Sequence, residues 1–63
     1  MVPKMSASDR VVVAKRHLEH AQEHISLAES ARTDSVRMRH VTIAKQHLLL
    51  AEKELLAADQ AAK

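Results

Sequence analysis

Three histidines in the stretch AKRHLEHAQEHI, residues 14–25, are spaced three and four residues apart, so a single helical face would carry them all. A related stretch, AKQHLLLAEKEL, begins 30 residues later and repeats the first of them as His47. Neutral imidazole is a good ligand for Zn, Ni and Cu ions. The spacing therefore indicates a metal site, for Zn or another transition metal, with His17, His20, His24 and His47 as its ligands.

A second interpretation needs no cofactor. The Glu-x-x-His signature of di-iron helical bundles is missing, and no other recognised ligand spacing is present. Histidines have an apolar body and a polar tip, so they can also line the flank of a helical bundle and pair with one another or with water. We take this flank role, with no cofactor, as the main prediction and the metal site as its alternative.

Composition limits how the chain can be stabilised. Its 63 residues allow one small domain, residues 1–63, with little interior, and Cys, Phe, Tyr and Trp are all absent. Oligomerisation or a bound metal ion is therefore expected to stabilise the fold. The net charge of +2 identifies no partner, and no apolar run is long enough for a membrane span. The prediction is a cytoplasmic protein without a membrane partner.

The pattern of apolar residues predicts an all-α helical hairpin. Gly is absent and Pro3 is the one proline, so helix 1 is expected over about residues 7–31, a turn over 32–34 and helix 2 over 35–61. Ser6 with Asp9 resembles a capping box, and Thr33, Asp34 or Ser35 can cap the second helix. A connection this short makes the helices antiparallel.

Small and large apolar residues alternate along each helix at heptad spacing, from Val11 to Ala28 and again from Val41 to Ala58. These seams predict that large aliphatic side chains and alanines pack together between the helices. A second apolar stripe widens the apolar arc of each helix beyond what one partner helix can cover. This stripe consists of Val13 and Leu27 on helix 1 and of Ile43, Leu50 and Ala57 on helix 2. The hairpin is therefore expected to homodimerise into a four-helix bundle. The predicted interface residues are Val11, Leu18, Ile25, Leu27, Val41, Leu48, Leu50 and Leu55.

A polar row lies between the seam and the second stripe of each helix, formed by Arg10, His17 and His24 on helix 1 and by His40, His47 and Glu54 on helix 2. Facing residues in an antiparallel hairpin have a constant index sum, and a turn centred near Arg32 sets that sum at about 64. The predicted facing pairs are Arg10 with Glu54, His17 with His47 and His24 with His40.

Among function classes, these features favour a small non-enzymatic protein that acts through protein–protein interaction, in a regulatory or scaffold role. Leu49 and Leu56 lie outside both apolar stripes and are expected to dock another protein. Catalysis is disfavoured because a thin two-helix unit offers no pocket that could desolvate a nucleophile.

Nucleic-acid binding is a further alternative to protein interaction. Arg32, Arg37 and Arg39 cluster by the turn, and in architecture the predicted dimer resembles the Rop-type RNA-binding bundles. No recognition residues match that family, and the chain has no aromatic side chain to stack on a base. RNA is therefore a weaker candidate partner than a second copy or another protein.

Overall fold

The computed structural model describes residues 5–62, which form two α-helices packed against each other as a hairpin. Helix α1 spans Ala7–Ser30 and helix α2 spans Asp34–Ala61, with residues 31–33 between them. The all-helical hairpin expected from the sequence is confirmed. Residues 1–4 and 63 of the predicted domain lie outside the described residues.

Side-chain caps fix where each helix begins. The Ser6 hydroxyl accepts a hydrogen bond from the Asp9 N–H at 3.1 Å, and the Asp9 carboxylate accepts one from the Ser6 N–H at 3.2 Å. This reciprocal pair is a capping box. At the second helix the Thr33 hydroxyl accepts from the Val36 N–H at 3.2 Å. Thr33 is thus the capping residue among the three candidates, and α2 begins at Asp34, one residue earlier than expected.

The end of α1 is closed by an arginine from α2. Ala31 is extended, with φ −65° and ψ 139°, so the helix stops at Ser30. The Arg37 guanidinium donates to the carbonyl oxygens of Ala28 at 3.3 Å and Ala31 at 2.9 Å, and it also pairs with Asp34. Many helices end in a glycine motif whose backbone N–H groups donate to the last carbonyl oxygens. This chain has no Gly, and the Arg37 side chain donates to such carbonyl oxygens instead.

Alanine forms the core of the hairpin. Over residues 5–62 the buried residues are six alanines at heptad spacing, each at most 7% exposed: Ala14, Ala21, Ala28, Ala44, Ala51 and Ala58. The large aliphatic members of the predicted seam are not buried, since Leu18 is 42% and Leu48 44% exposed. The seam prediction is therefore right for the alanines and wrong for the large side chains. Helices that meet on alanine approach closely, which leaves no room between them for leucine.

The resulting particle is thin, measuring 45 × 21 × 14 Å. Its smallest dimension is close to the diameter of one helix with its side chains, about 10 to 12 Å. Each helix therefore has solvent on both broad faces of the hairpin.

Candidate functional site

The polar row completes the helix–helix seam beside the alanines. Arg10 donates to the Glu54 carboxylate at 3.1 Å, in a half-buried ion pair near the open end of the hairpin. His17 meets His47, and His24 meets His40, farther toward the turn. The structure thus brings together all three facing pairs that the constant index sum predicts. In the contact between the helices, histidines occupy the positions at which large aliphatic residues were expected.

Both histidine pairs meet through the same ring nitrogen. The Nδ1 atoms of His17 and His47 are 3.1 Å apart, and those of His24 and His40 are 2.9 Å apart. At such a distance one nitrogen must carry a proton and donate it, while the other is bare and accepts. Each pair therefore holds together only while at least one of its rings is neutral.

The histidines form one cluster with His47 as its hub. The ring centre of His47 lies 5.3 Å from that of His17, 5.2 Å from that of His20 and 6.1 Å from that of His24. His20 is exposed, and its Nδ1 lies 3.6 Å from the Glu23 carboxylate. The cluster therefore has a fixed part in the seam and one solvent-facing member.

The surroundings of His47 disfavour its protonation. Burial is the largest cause that lowers the pKa of His47 below its usual 6.5, and repulsion from His20, His17 and His24 lowers it further. Burial acts because a charged imidazole loses hydration between the helices. His47 is consequently neutral at pH 7, in the form that accepts hydrogen bonds and binds metals.

The predicted metal ligands His17, His20, His24 and His47 are all in this cluster, but as a stack of rings. No group of three or more His, Asp or Glu side chains within residues 5–62 is arranged to hold a metal ion. Metal binding would require the rings to turn.

One of the three arginines considered for nucleic-acid binding, Arg37, helps to hold the hairpin together, because it caps the end of α1. Sequence reasoning missed the capping role of Arg37. Its signal is present in the sequence: an arginine in the first turn of the second helix, next to a first helix that ends without Gly.

A shallow apolar groove runs along one face of the hairpin. Two adjoining depressions of about 340 and 440 Å³ share Ile25 and Leu48 in their walls. Leu18 and Val41 continue these walls, and the linings also include the core alanines Ala21, Ala28 and Ala44. We call this surface the groove face, defined by Leu18, Ile25, Val41 and Leu48. Heptad spacing adds Val11 and Leu55 to the same rows.

The predicted interface residues divide between two faces. Leu27 follows Ile25 by two residues and Leu50 follows Leu48 by two, which rotates each by roughly 200° around its helix. Leu27 and Leu50 therefore lie on the opposite face, 47% and 41% exposed, and one flat interface cannot bury them together with the groove face. Leu49 and Leu56 lie between the two faces, on the outer side of α2, and are also exposed.

The comparisons with protein-family models, curated proteins and solved structures gave no match to this chain. Over the described residues, neither helix combines the length and apolar character needed to cross a bilayer.

Proposed function

We propose that the hairpin is a non-enzymatic protein-interaction module that pairs with a second copy through its groove face to form a four-helix bundle. The observation that carries this proposal is the alanine core, which buries no large side chain anywhere in residues 5–62. Six methyl groups offset little of the conformational entropy that ordering two long helices costs. The exposed aliphatic side chains of the groove face supply the missing apolar area.

The shape of the groove face favours a second copy as its occupant. Aliphatic side chains form its walls, and alanines lie among them, so the walls of one copy can insert between those of another. A twofold interface places the same patch on both subunits, which requires a self-complementary surface. Pairing would bury what remains exposed of Leu18, Ile25, Val41 and Leu48 in both copies, eight side chains that are each less than half exposed in the single hairpin. Complete burial of such a side chain contributes about 1.5 to 3 kcal/mol, so pairing adds roughly half of that or less for each.

The charges along the groove support the same occupant. Lys15 and Glu19 line one depression, and Glu29 and Lys45 line the other. Arg37 also lines the second depression, but Asp34 and the carbonyl oxygens at the end of α1 already engage it. Equal numbers of lysine and glutamate allow a second copy to oppose unlike charges, whereas a strongly acidic or basic partner would meet repulsion from half of them. This balance also argues against the phosphate backbone of RNA as the occupant.

The chemistry of the groove supports a non-enzymatic role. Its two depressions are open, and no histidine is among their lining residues in the described part of the chain. The imidazoles that could transfer protons are thus separated from the concave surface that could hold a substrate. General acid–base catalysis needs both at hydrogen-bonding distance.

Leu49 and Leu56 remain available after such pairing. They are 53% and 60% exposed and do not line the groove. We propose that this outer side of α2 docks a different protein, which would give the bundle a scaffold or regulatory role. The cytoplasmic location stays a prediction.

Sedimentation of two matched variants tests the dimer. Leu48→Asp places a carboxylate in the groove face, whereas Leu49→Asp places one on the adjacent outer position of the same helix. The parent and Leu49→Asp should sediment as dimers, and Leu48→Asp as a monomer, over a roughly hundredfold range of concentration. A parent protein that sediments as a monomer throughout this range would refute the proposal.

A further inference from the structure

Two imidazole nitrogens in the seam already stand at a spacing typical of metal ligands. The Nδ1 atoms of His17 and His47 are 3.1 Å apart. Two nitrogens bound to one tetrahedral metal ion at 2.0 to 2.1 Å lie roughly 3.3 Å apart. Helices α1 and α2 therefore hold one donor each at almost the required separation, and the rings need to change mainly in tilt.

His20 becomes a third donor only when its ring turns, because no three donor side chains within residues 5–62 are placed to hold an ion as they stand. It follows His17 by three residues on α1, and its ring centre is 5.2 Å from that of His47. Rings that share a tetrahedral ion at such bond lengths have their centres roughly 5 Å apart. Because His20 is exposed, and its 3.6 Å contact with Glu23 is long for a hydrogen bond, its ring can rotate toward the pair.

We propose that His17, His20 and His47 bind one divalent transition-metal ion of the Zn²⁺, Ni²⁺ or Cu²⁺ class, with water as the fourth ligand. Binding replaces the Nδ1 contact of the seam pair with two metal–nitrogen bonds and draws in the third ring. The ion then links α1 to α2, so it should stabilise the hairpin as a staple.

The donor chemistry selects this class of ion. Imidazole suits Zn, Ni and Cu, whereas Ca²⁺ and Mg²⁺ need several oxygen ligands, which the cluster does not provide.

The other seam pair provides the matched control. His24 and His40 meet at 2.9 Å in the same manner, but His40 is not one of the proposed ligands. Calorimetric titration of the metal-free protein with Zn²⁺ at pH 7.5 should give one ion per chain and a higher Tm. His20→Gln should weaken the affinity by roughly tenfold or more. His40→Gln should leave both affinity and stoichiometry unchanged.

Three results would overturn the site: no heat of binding with the parent protein, one ion per two chains, or equal weakening by His20→Gln and His40→Gln. Because His20 is exposed, its replacement should not unfold the hairpin, and circular dichroism of each variant verifies this. The inference is independent of the proposed dimer. Leu48→Asp, designed to separate the copies, should still bind one Zn²⁺ per chain, so the two proposals can fail separately.

Discussion

His17 and His47 lie opposite each other across the hairpin with their Nδ1 atoms 3.1 Å apart, which requires at least one bare nitrogen between them. If both rings were protonated, two cations would face each other at van der Waals distance, with no acceptor between them. The alanines beside them let the helices approach closely enough for this contact to form. The protonation state of the seam therefore affects how tightly the two helices hold together.

Acid should destabilise the metal-free protein. Because burial and neighbouring histidines lower the pKa of His47 in the folded state, the unfolded chain binds the proton more tightly. Stability should be full above the unfolded value of about 6.5, and it should decline as pH falls below that value. Thermal unfolding with a chelator present, at about pH 7.5 and pH 5, measures this. His47→Gln should be less sensitive to acid, and an equal or higher Tm of the parent at pH 5 would contradict the prediction.

Enlarging a core alanine should force the helices apart. Ala21 is 1% exposed, so Ala21→Leu should cost about 1 to 3 kcal/mol of unfolding free energy through overpacking. Ser26→Leu adds a leucine at an exposed position of the same helix and should change stability by less than about 0.5 kcal/mol. Urea unfolding of both variants gives the comparison. If Ala21→Leu were as stable as the parent, the close alanine contact would be disproved.

The same insertion should have a small effect on stability in the turn and a large one in the seam. Two glycines placed between Arg32 and Thr33 lengthen a surface connection, and the expected loss is roughly 1 kcal/mol. The same two residues inserted after Ala21 rotate the remainder of α1 by roughly 200°, which turns Ala28 away from α2. That variant should lose cooperative thermal unfolding, followed by circular dichroism. Similar melting curves for the two insertions would be inconsistent with the hairpin.

Removing the arginine that closes α1 should weaken the turn. Arg37→Ala leaves the carbonyl oxygens of Ala28 and Ala31 without their charged donor, and we expect a loss of about 1 to 2 kcal/mol. Arg39→Ala removes the same charge from an exposed position nearby and serves as the control. Chemical denaturation of both variants distinguishes a cap from a general charge effect, which would lower both stabilities equally.

The helices, their caps and the facing pairs could be predicted because local rules decide them. The absence of Gly and the position of Pro3 leave long helices, and Ser6 and Thr33 accept the first free N–H groups. The short connection then sets the index sum of 64, which places His17 opposite His47 wherever the exact helix ends fall.

The composition of the seam could not be predicted in the same way. Ala14 is followed after three residues by His17 and after four by Leu18, and either row completes a heptad seam with the alanines. Apolarity favours the leucine row, but two helices in contact through alanine exclude it. Which row faces inward depends on the distance between the helix axes, and periodicity carries no information about that distance.

The three-residue connection, residues 31–33, has a consequence for how chains can exchange partners. Each cross-helix pairing of the polar row joins a residue of α1 to one of α2, so the same pairings can form between α1 of one chain and α2 of another. Without Gly or Pro in the connection, the chain can straighten there into a single rod of roughly 80 Å. Two such rods, lying antiparallel, would form the polar-row pairings twice over. A chain with a helical connection would thus form a domain-swapped dimer, which a high protein concentration would favour over two separate hairpins.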